Sequence, residues 1–187
     1  MQTGNFRRVS YSTKEGIEIW HLLTCKKQEE QKILTICRKN LSSEALSGIF
    51  ILTYDRMRKY EGVWHLERQI LFPGSVFLEN GNEKLLCKEL GQCSGIDGQE
   101  NRLIRLGEAE ENFLKGLCGE EHHLEMSRGV IRKGVPKITE GPLRGRESMI
   151  CRIDRHKRLA KVRLDWQDRM EELCFISAGL EITEKMY

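Results

Sequence analysis

The chain has 187 residues, of which 39% are hydrophobic and 32% charged, a composition typical of globular proteins that excludes a largely disordered chain. No apolar run approaches the roughly 20 residues that a membrane-spanning helix needs. Residues 1–12 contain arginines but no apolar stretch, which argues against a secretory signal, and residues 1–15 are predicted to form a flexible lead-in. The length allows one mid-sized domain or two small ones. Two are favoured because the predicted elements change along the chain, from strands interrupted by helices to short strands alone.

The predicted elements of residues 16–118 are strands interrupted by helices. Apolar side chains at Ile33, Ile36 and Cys37 share one face of a helix, and Asn82 is a suitable N-cap for another. In chain order we predict a strand at 17–23, a helix at 28–38, strands at 48–60, 63–71 and 76–79, and helices at 82–90 and 108–117. This order predicts an α+β sandwich of the RNP or ferredoxin-like kind.

Residues 119–126 are polar and without periodicity, which predicts a linker. Beyond them, short strands are predicted at 130–138, 149–153, 159–164, 173–176 and 180–183, separated by glycine-bearing or polar turns. This pattern predicts a small SH3-like β-barrel. Within it, Ala160, Val162 and Leu164 are expected on one strand face, and Lys161 and Arg163 on the other.

Charge is divided unevenly between the two parts. Residues 1–126 carry 17 Lys+Arg and 19 Asp+Glu, whereas residues 127–187 carry 14 and 9. Residues 128–163 include 12 basic side chains and only three acidic ones. A basic segment of this kind suits a polyanionic partner, but a solvated surface that merely keeps a small domain soluble has the same composition, and both interpretations stay open.

The seven cysteines form no C-x-x-C pair, and an odd count without an export signal indicates reduced thiols in a cytoplasmic protein. We interpret them as small core residues. Cys118 lies near His122 and His123, but adjacent side chains on an extended segment point apart, so no metal site is predicted. No cofactor is predicted either.

Two motifs occur in order along the chain. The first, Leu71-Phe72-Pro73-Gly74-Ser75-Val76-Phe77, resembles the hallmark of the NusG amino-terminal domain, and Trp20 stands where first strands of that family carry a tryptophan. The second, Gly141-Pro142-Leu143-Arg144-Gly145-Arg146, resembles the KOW motif. The chain therefore resembles the NusG family of transcription elongation factors, with its amino-terminal domain at 16–118 and a KOW domain at 127–187. The basic hairpin of residues 56–67 is most similar to the specialised LoaP group.

The resemblance implies that the amino-terminal domain binds the clamp helices of bacterial RNA polymerase. The residues that it assigns to this contact are Tyr54, Phe72, Pro73, Val76 and Phe77. Exposed apolar clusters usually mark partner sites, but alternate strand positions make some of these side chains candidates for the core. Ser75 replaces the tyrosine that the family usually carries, which removes one ring from the expected contact surface.

A basic hairpin with Arg56, Arg58, Lys59 and Arg68 is a candidate contact for upstream DNA. A solvated strand edge, where charges deter aggregation, explains the same residues. Both interpretations stay open.

For the KOW domain, the resemblance implies recognition of a structured RNA hairpin and hence processive antitermination through a long operon. Guanidinium forks and lysines at a hairpin tip suit phosphates and unpaired loop bases. The expected RNA-binding residues are Arg144, Arg146, Arg152, Arg155, His156, Lys157, Arg158, Lys161 and Arg163. Few aromatic residues lie nearby, which favours reading of phosphates and shape over base stacking.

Other functions are less consistent with the sequence. No Walker loop, H-E-x-x-H motif, G-x-S-x-G motif or paired-carboxylate arrangement is present, so we expect no enzyme. A ribosomal-type KOW protein would lack the module of residues 71–77. The alternative within the family is a general NusG factor, whose KOW domain contacts termination factor or the ribosome. We expect a monomer without a membrane partner.

Overall fold

The computed structural model describes residues 18–96, 102–164, 166 and 174–186. The lead-in predicted for residues 1–15 lies outside these ranges, as does the first residue of the strand predicted at 17–23. No helix among the described residues is long and apolar enough to cross a membrane.

The fold is α+β, as predicted. In chain order the elements are β1 (Ile19–Thr24), α1 (Glu30–Asn40), β2 (Gly48–Phe50), β3 (Thr53–Tyr60), β4 (Val63–Ile70), β5 (Ser75–Asn80), α2 (Glu83–Leu90), β6 (Leu103–Arg105), α3 (Glu108–Cys118), β7 (His123–Leu124), β8 (Ser127–Arg132), β9 (Val135–Glu140), a 3₁₀ turn (Glu147–Met149), β10 (Ile150–Asp154), β11 (Leu159–Arg163) and β12 (Phe175–Met186). The chain divides into two compact units, one within Met1–Ile51 and Pro73–Asn112, the other within Leu52–Phe72 and Phe113–Tyr187.

The first unit is a four-stranded sheet with strand order β2-β5-β1-β6. One side of the sheet packs against the apolar faces of α1 and α2, and this core includes Leu23, Ile33, Val76 and Leu86. Asn82 caps α2 as predicted, because its side-chain oxygen accepts a hydrogen bond from the Leu85 N–H at 3.1 Å.

An aromatic cluster of Trp20, Phe50 and Phe77 forms a second part of the core. The Phe50 and Phe77 rings stack with centroids 5.7 Å apart, and Trp20 meets Phe50 edge-on at 4.7 Å. All three side chains are buried. Phe77 and its neighbour Val76 point to opposite sides of β5, because successive strand residues alternate.

The segment predicted as one strand at 48–60 is two strands, β2 and β3. Its first part, β2, pairs with β5 in the first unit, and its second part, β3, pairs with β4 and β7 in the second unit. The chain leaves one sheet at Ile51 and Leu52, where the Leu52 carbonyl accepts a hydrogen bond from the Leu71 N–H at 2.8 Å. The segment is apolar at its start and basic at its end, but this pattern does not reveal where its hydrogen-bonding partner changes.

The second unit contains the β4-β3-β7 sheet and a five-stranded sheet with order β10-β11-β12-β8-β9. Strands β3 and β4 form a hairpin that turns at Glu61 and Gly62, as predicted. Strand β7 lies in the segment predicted as a linker and pairs in parallel with β3.

Two strand predictions in the five-stranded sheet need correction. The segment predicted as one strand at 130–138 is the β8–β9 hairpin, which turns at Lys133 and Gly134. The strands predicted at 173–176 and 180–183 fall in one strand, β12, which begins at Phe175, and residue 173 lies outside the described residues. Its first half pairs with β11 and its second half with β8. Around this change of partner Ala178, Gly179 and Leu180 are all buried, so the alternation that would identify one strand is lost.

Candidate nucleic-acid interface

The β10–β11 hairpin has an apolar inner face and a basic outer face. Ala160 and Val162 are buried, whereas Lys161 and Arg163 on the same strand are exposed. Arg152 on β10 stands directly opposite Lys161 and is also exposed. The predicted alternation is therefore confirmed, and it brings Arg152, Lys161 and Arg163 together on one outer face.

The tip of this hairpin presents three exposed side chains, Arg155, His156 and Lys157. Asp154 shapes the turn, because its carboxylate accepts a hydrogen bond from the Lys157 N–H at 2.9 Å. The same carboxylate lies 3.9 Å from the Lys157 ammonium. This contact is solvent-exposed and weak, so it leaves the lysine able to meet a phosphate.

Arg158, the fourth tip residue in the sequence-based set, is held by the protein. Its guanidinium lies 2.7 Å from the Glu181 carboxylate and 4.2 Å from the centre of the Trp64 ring. Its carbonyl accepts the Leu180 N–H at 2.9 Å. These contacts secure the base of the tip to β12 and to the β3–β4 hairpin, so the guanidinium would have to leave them to bind RNA.

Of the two arginines in the Gly-Pro turn, one is exposed and the other contacts neighbouring residues of the protein. Arg144 is exposed. Arg146 donates a hydrogen bond to the Pro142 carbonyl at 2.8 Å and lies 5.7 Å from the Phe113 ring. Leu143 between them is buried. Arg144 thus remains available to a ligand, whereas Arg146 stabilises the turn through its hydrogen bond to the Pro142 carbonyl.

Glu147 adds an acidic group beside this turn. Hydrogen bonds from its own backbone N–H and from the Ile138 N–H lower the pKa of its carboxyl group. The charge of Glu147 is therefore present at neutral pH and reduces the positive potential near Arg144.

Phe175 also belongs to the outer basic face, although it is absent from the residue set that the sequence predicts. It stands opposite Arg163 in the β11–β12 register, and the Lys161 ammonium lies 4.1 Å from the centre of its ring. Phe175 begins the strand after β11, and the pairing of β11 with β12 brings it to this face.

Four of the five residues expected to contact RNA polymerase are buried within their own units. Tyr54, Phe72, Val76 and Phe77 are buried, with exposures of 7%, 3%, 0% and 0%, and Pro73 is exposed. Phe72 also stacks on Trp166, with ring centroids 5.6 Å apart. In this structure Pro73 is the member of the set that a partner can reach directly.

The β3–β4 hairpin carries exposed apolar residues that lie outside the sequence-predicted contact set. Tyr60, Val63 and Leu66 have exposures of 46%, 58% and 59%. The Tyr60 ring stacks on His65, with centroids 3.6 Å apart.

Of the hairpin's candidate DNA contacts, Arg58, Lys59 and Arg68 are exposed and Arg56 is half-buried. Arg58 lies 3.9 Å from the Glu67 carboxylate. The hairpin therefore combines basic and apolar side chains at its surface.

His123 forms a hydrogen-bonded group with Thr53 and Asp55. Its ring nitrogens lie 2.8 Å from the Thr53 hydroxyl and 2.9 Å from the Asp55 carboxylate, which also accepts the Met126 N–H at 3.1 Å. These contacts connect β3 to the segment that leads into β8. Across the described ranges, no group of three or more His, Cys, Asp or Glu side chains is arranged to hold a metal ion.

The cysteines have varied environments. Cys37, Cys93 and Cys118 are buried, and Cys151 is exposed. Burial raises the pKa of the Cys37 and Cys118 thiols to about 12. These two thiols are therefore protonated and poorly reactive at neutral pH.

No model of a known protein family matches the chain, and no curated protein sequence matches it. The chain is similar to a solved structure described as "Domain interaction in Thermotoga maritima NusG". The identity is 19%, the match covers 89% of this chain and 94% of the other, and the TM-score is 0.45. A likeness this weak does not decide the family, so what the chain binds must follow from its own residues.

Proposed function

We propose that this protein is a NusG-type transcription antitermination factor of the LoaP kind. The second unit binds an RNA hairpin, and residues near the Pro73 turn bind the clamp helices of bacterial RNA polymerase. The observation that carries the proposal is the outer face of β10 and β11, where Arg152, Lys161 and Arg163 lie together beside the exposed tip.

The proposed RNA site combines two kinds of contact. Lysines and arginines on the strands bind phosphates and position the RNA. Arg155 and His156 at the tip contact unpaired loop bases, whose edges are accessible to side chains that distinguish one base from another. Phe175 adds a ring at the edge of the same face, which gives one unpaired base a surface to stack on. Arg158 and Arg146 support this site through the protein contacts described above.

Support for the polymerase contact is the motif of residues 71–77 and the exposure of Pro73. Because Phe77 is fully buried in the aromatic cluster, a charged replacement there would unfold the unit and test nothing about binding. Pro73→Asp changes an exposed residue and is the more informative variant.

The test is transcription by purified bacterial RNA polymerase through an intrinsic terminator, with or without a hairpin encoded upstream. We expect the protein to raise readthrough of the terminator when the upstream hairpin is present. The increase in readthrough should be much smaller when the loop sequence of that hairpin is scrambled. Equal effects on both templates would overturn the LoaP-type proposal and favour a general NusG factor.

Two variants separate the two proposed contacts. Arg155→Ala combined with Lys157→Ala should abolish the dependence of readthrough on the hairpin. Pro73→Asp should lower readthrough while leaving hairpin affinity unchanged. Loss of both activities in both variants, with folding intact, would contradict the assignment of separate sites.

A further inference from the structure

The β8–β9 hairpin ends in a second basic tip that lies outside the RNA-binding set derived from the sequence. Arg132, Lys133 and Lys137 are exposed, and Val135 between them has 65% of its surface in solvent. The turn residues Lys133 and Gly134 have φ values of 48° and 81°, as the tight two-residue turns of β-hairpins require. The tip is therefore a two-residue β-hairpin turn.

Strand register places two cations and the exposed valine on one face. Arg132 pairs with Val135 and Val130 pairs with Lys137, and positions two apart on a strand point the same way. Lys133 extends this face at the turn. Glu184 neighbours Val130 on this face, while Glu140 and Glu181 lie farther from the tip, beside Arg128. The excess of positive charge is therefore at the tip.

The charges at the base of this hairpin are compensated, and those at its tip are not. Arg128 lies 3.6 Å from the Glu140 carboxylate and 3.3 Å from that of Glu181. Among the residues that the structure describes, no ion pair is found for Arg132, Lys133 or Lys137. An uncompensated basic tip attracts a polyanion more strongly than it attracts a neutral protein surface.

Each of the two basic tips projects toward the carboxyl end of the half of β12 with which its hairpin pairs. Strand β11 runs antiparallel to β12 and starts beside Gly179, so the β10–β11 tip projects toward the carboxyl end of β12. Strand β8 runs parallel to β12 and ends with Arg132 beside Met186, so its tip projects the same way. Gly179 and Met186 are seven residues apart, which is at most about 23 Å of extended strand.

We propose that the β8–β9 tip binds backbone phosphates in the stem of the same RNA hairpin whose loop meets the β10–β11 tip. This inference rests on the proposed function and adds a second contact to it. Phosphate contacts position a nucleic acid without reading its sequence. The second tip thus holds the stem in place while Arg155 and His156 reach the loop.

The experiment uses the full chain and the variant Lys133→Ala combined with Lys137→Ala. The probe is a synthetic RNA hairpin with a stem of about 16 base pairs, long enough to cross two grooves, and its dissociation constant is measured over a range of salt concentrations. If both lysines meet phosphates, the slope of log affinity against log salt should become shallower by about 1.4–1.8. The affinity of the variant for this RNA hairpin should fall by the same factor whether the loop sequence of the hairpin is kept or scrambled.

The matched control is Lys84→Ala combined with Lys88→Ala. It removes the same charge from exposed positions on α2 and should leave the salt slope unchanged. A second control is a hairpin with the same loop and a stem too short to span both tips, which the tip variant and the unaltered protein should bind equally.

The outcomes distinguish this inference from the proposed function. If Arg155→Ala with Lys157→Ala weakens RNA binding but the Lys133 and Lys137 variant matches the control, the second contact is refuted and the RNA site stands. If neither variant weakens binding, both proposals fail. A changed loop preference in the Lys133 and Lys137 variant would also refute a purely phosphate-binding role.

Discussion

Two glycines in the Gly-Pro turn allow a matched test of how this turn is built. Gly141 and Gly145 have φ values of 90° and 78°, a region that L-residues avoid. A Cβ at Gly141 would lie 2.6 Å from the Met126 carbonyl oxygen and 2.7 Å from the Ser127 Cα. At Gly145 nothing lies within 4 Å of the same position. Alanine therefore adds backbone strain at both sites and a steric clash at only one.

The structure sets the expected difference in the free energy of unfolding. The left-handed conformation costs an alanine about 1–2 kcal/mol at either position. At Gly141 the obstructing atoms belong to the backbone at the start of β8, which cannot move without disturbing the sheet, and overpacking of this kind adds about 1–3 kcal/mol. We expect Gly145→Ala to lose about 1–2 kcal/mol and Gly141→Ala about 2–5 kcal/mol.

Urea denaturation of both variants, compared with the unaltered chain, measures these losses from the transition midpoints. The RNA affinity of the Gly145→Ala variant should remain near that of the unaltered chain, because no neighbour is displaced. Equal losses for the two alanine variants would refute the reasoning, since the close approach of Gly141 to β8 would then have no energetic consequence.

Three further predictions concern the two units. Asp55→Ala should lower the free energy of unfolding by about 2–4 kcal/mol in urea denaturation, because the Met126 N–H and the His123 ring lose their acceptor; Asp55→Asn, which keeps an oxygen, should lose less. Burial lowers the pKa of His21 below 6.5, so below that pH the unfolded chain binds a proton more readily than the folded chain. The free energy of unfolding should therefore fall as the pH drops below 6.5, and His21→Leu should reduce this dependence. Residues 127–187 expressed alone should give a dispersed β-type NMR spectrum, since β8–β12 form one sheet, and a collapsed spectrum would contradict the predicted domain boundary.

Local sequence pattern determined most of the elements. The Asn82 cap, the apolar face of α1 and the alternation along β11 each follow from side chains within a few residues of one another. The α+β class follows from the order of those elements. The basic outer face of β11 was predictable for the same reason, since alternation on a strand is a property of the strand itself.

Strand partners were decided only by the tertiary structure. The break near Leu52 and the unbroken course of β12 depend on which edge each segment pairs with, and that edge lies far along the chain. The availability of the basic side chains has the same origin. Arg155 and Lys157 stay exposed, whereas Arg158 is held by Glu181 and Trp64, residues that no local pattern connects to it.

Burial of the motif at residues 71–77 has a similar cause. The sequence indicated an apolar segment of special importance, but whether Phe72 and Phe77 face solvent or the core depends on Trp166 and on the Trp20 cluster. Apolar side chains are buried wherever another apolar surface covers them, and the covering residues come from distant segments. Composition and alternation thus determined what could be buried, and packing decided what was.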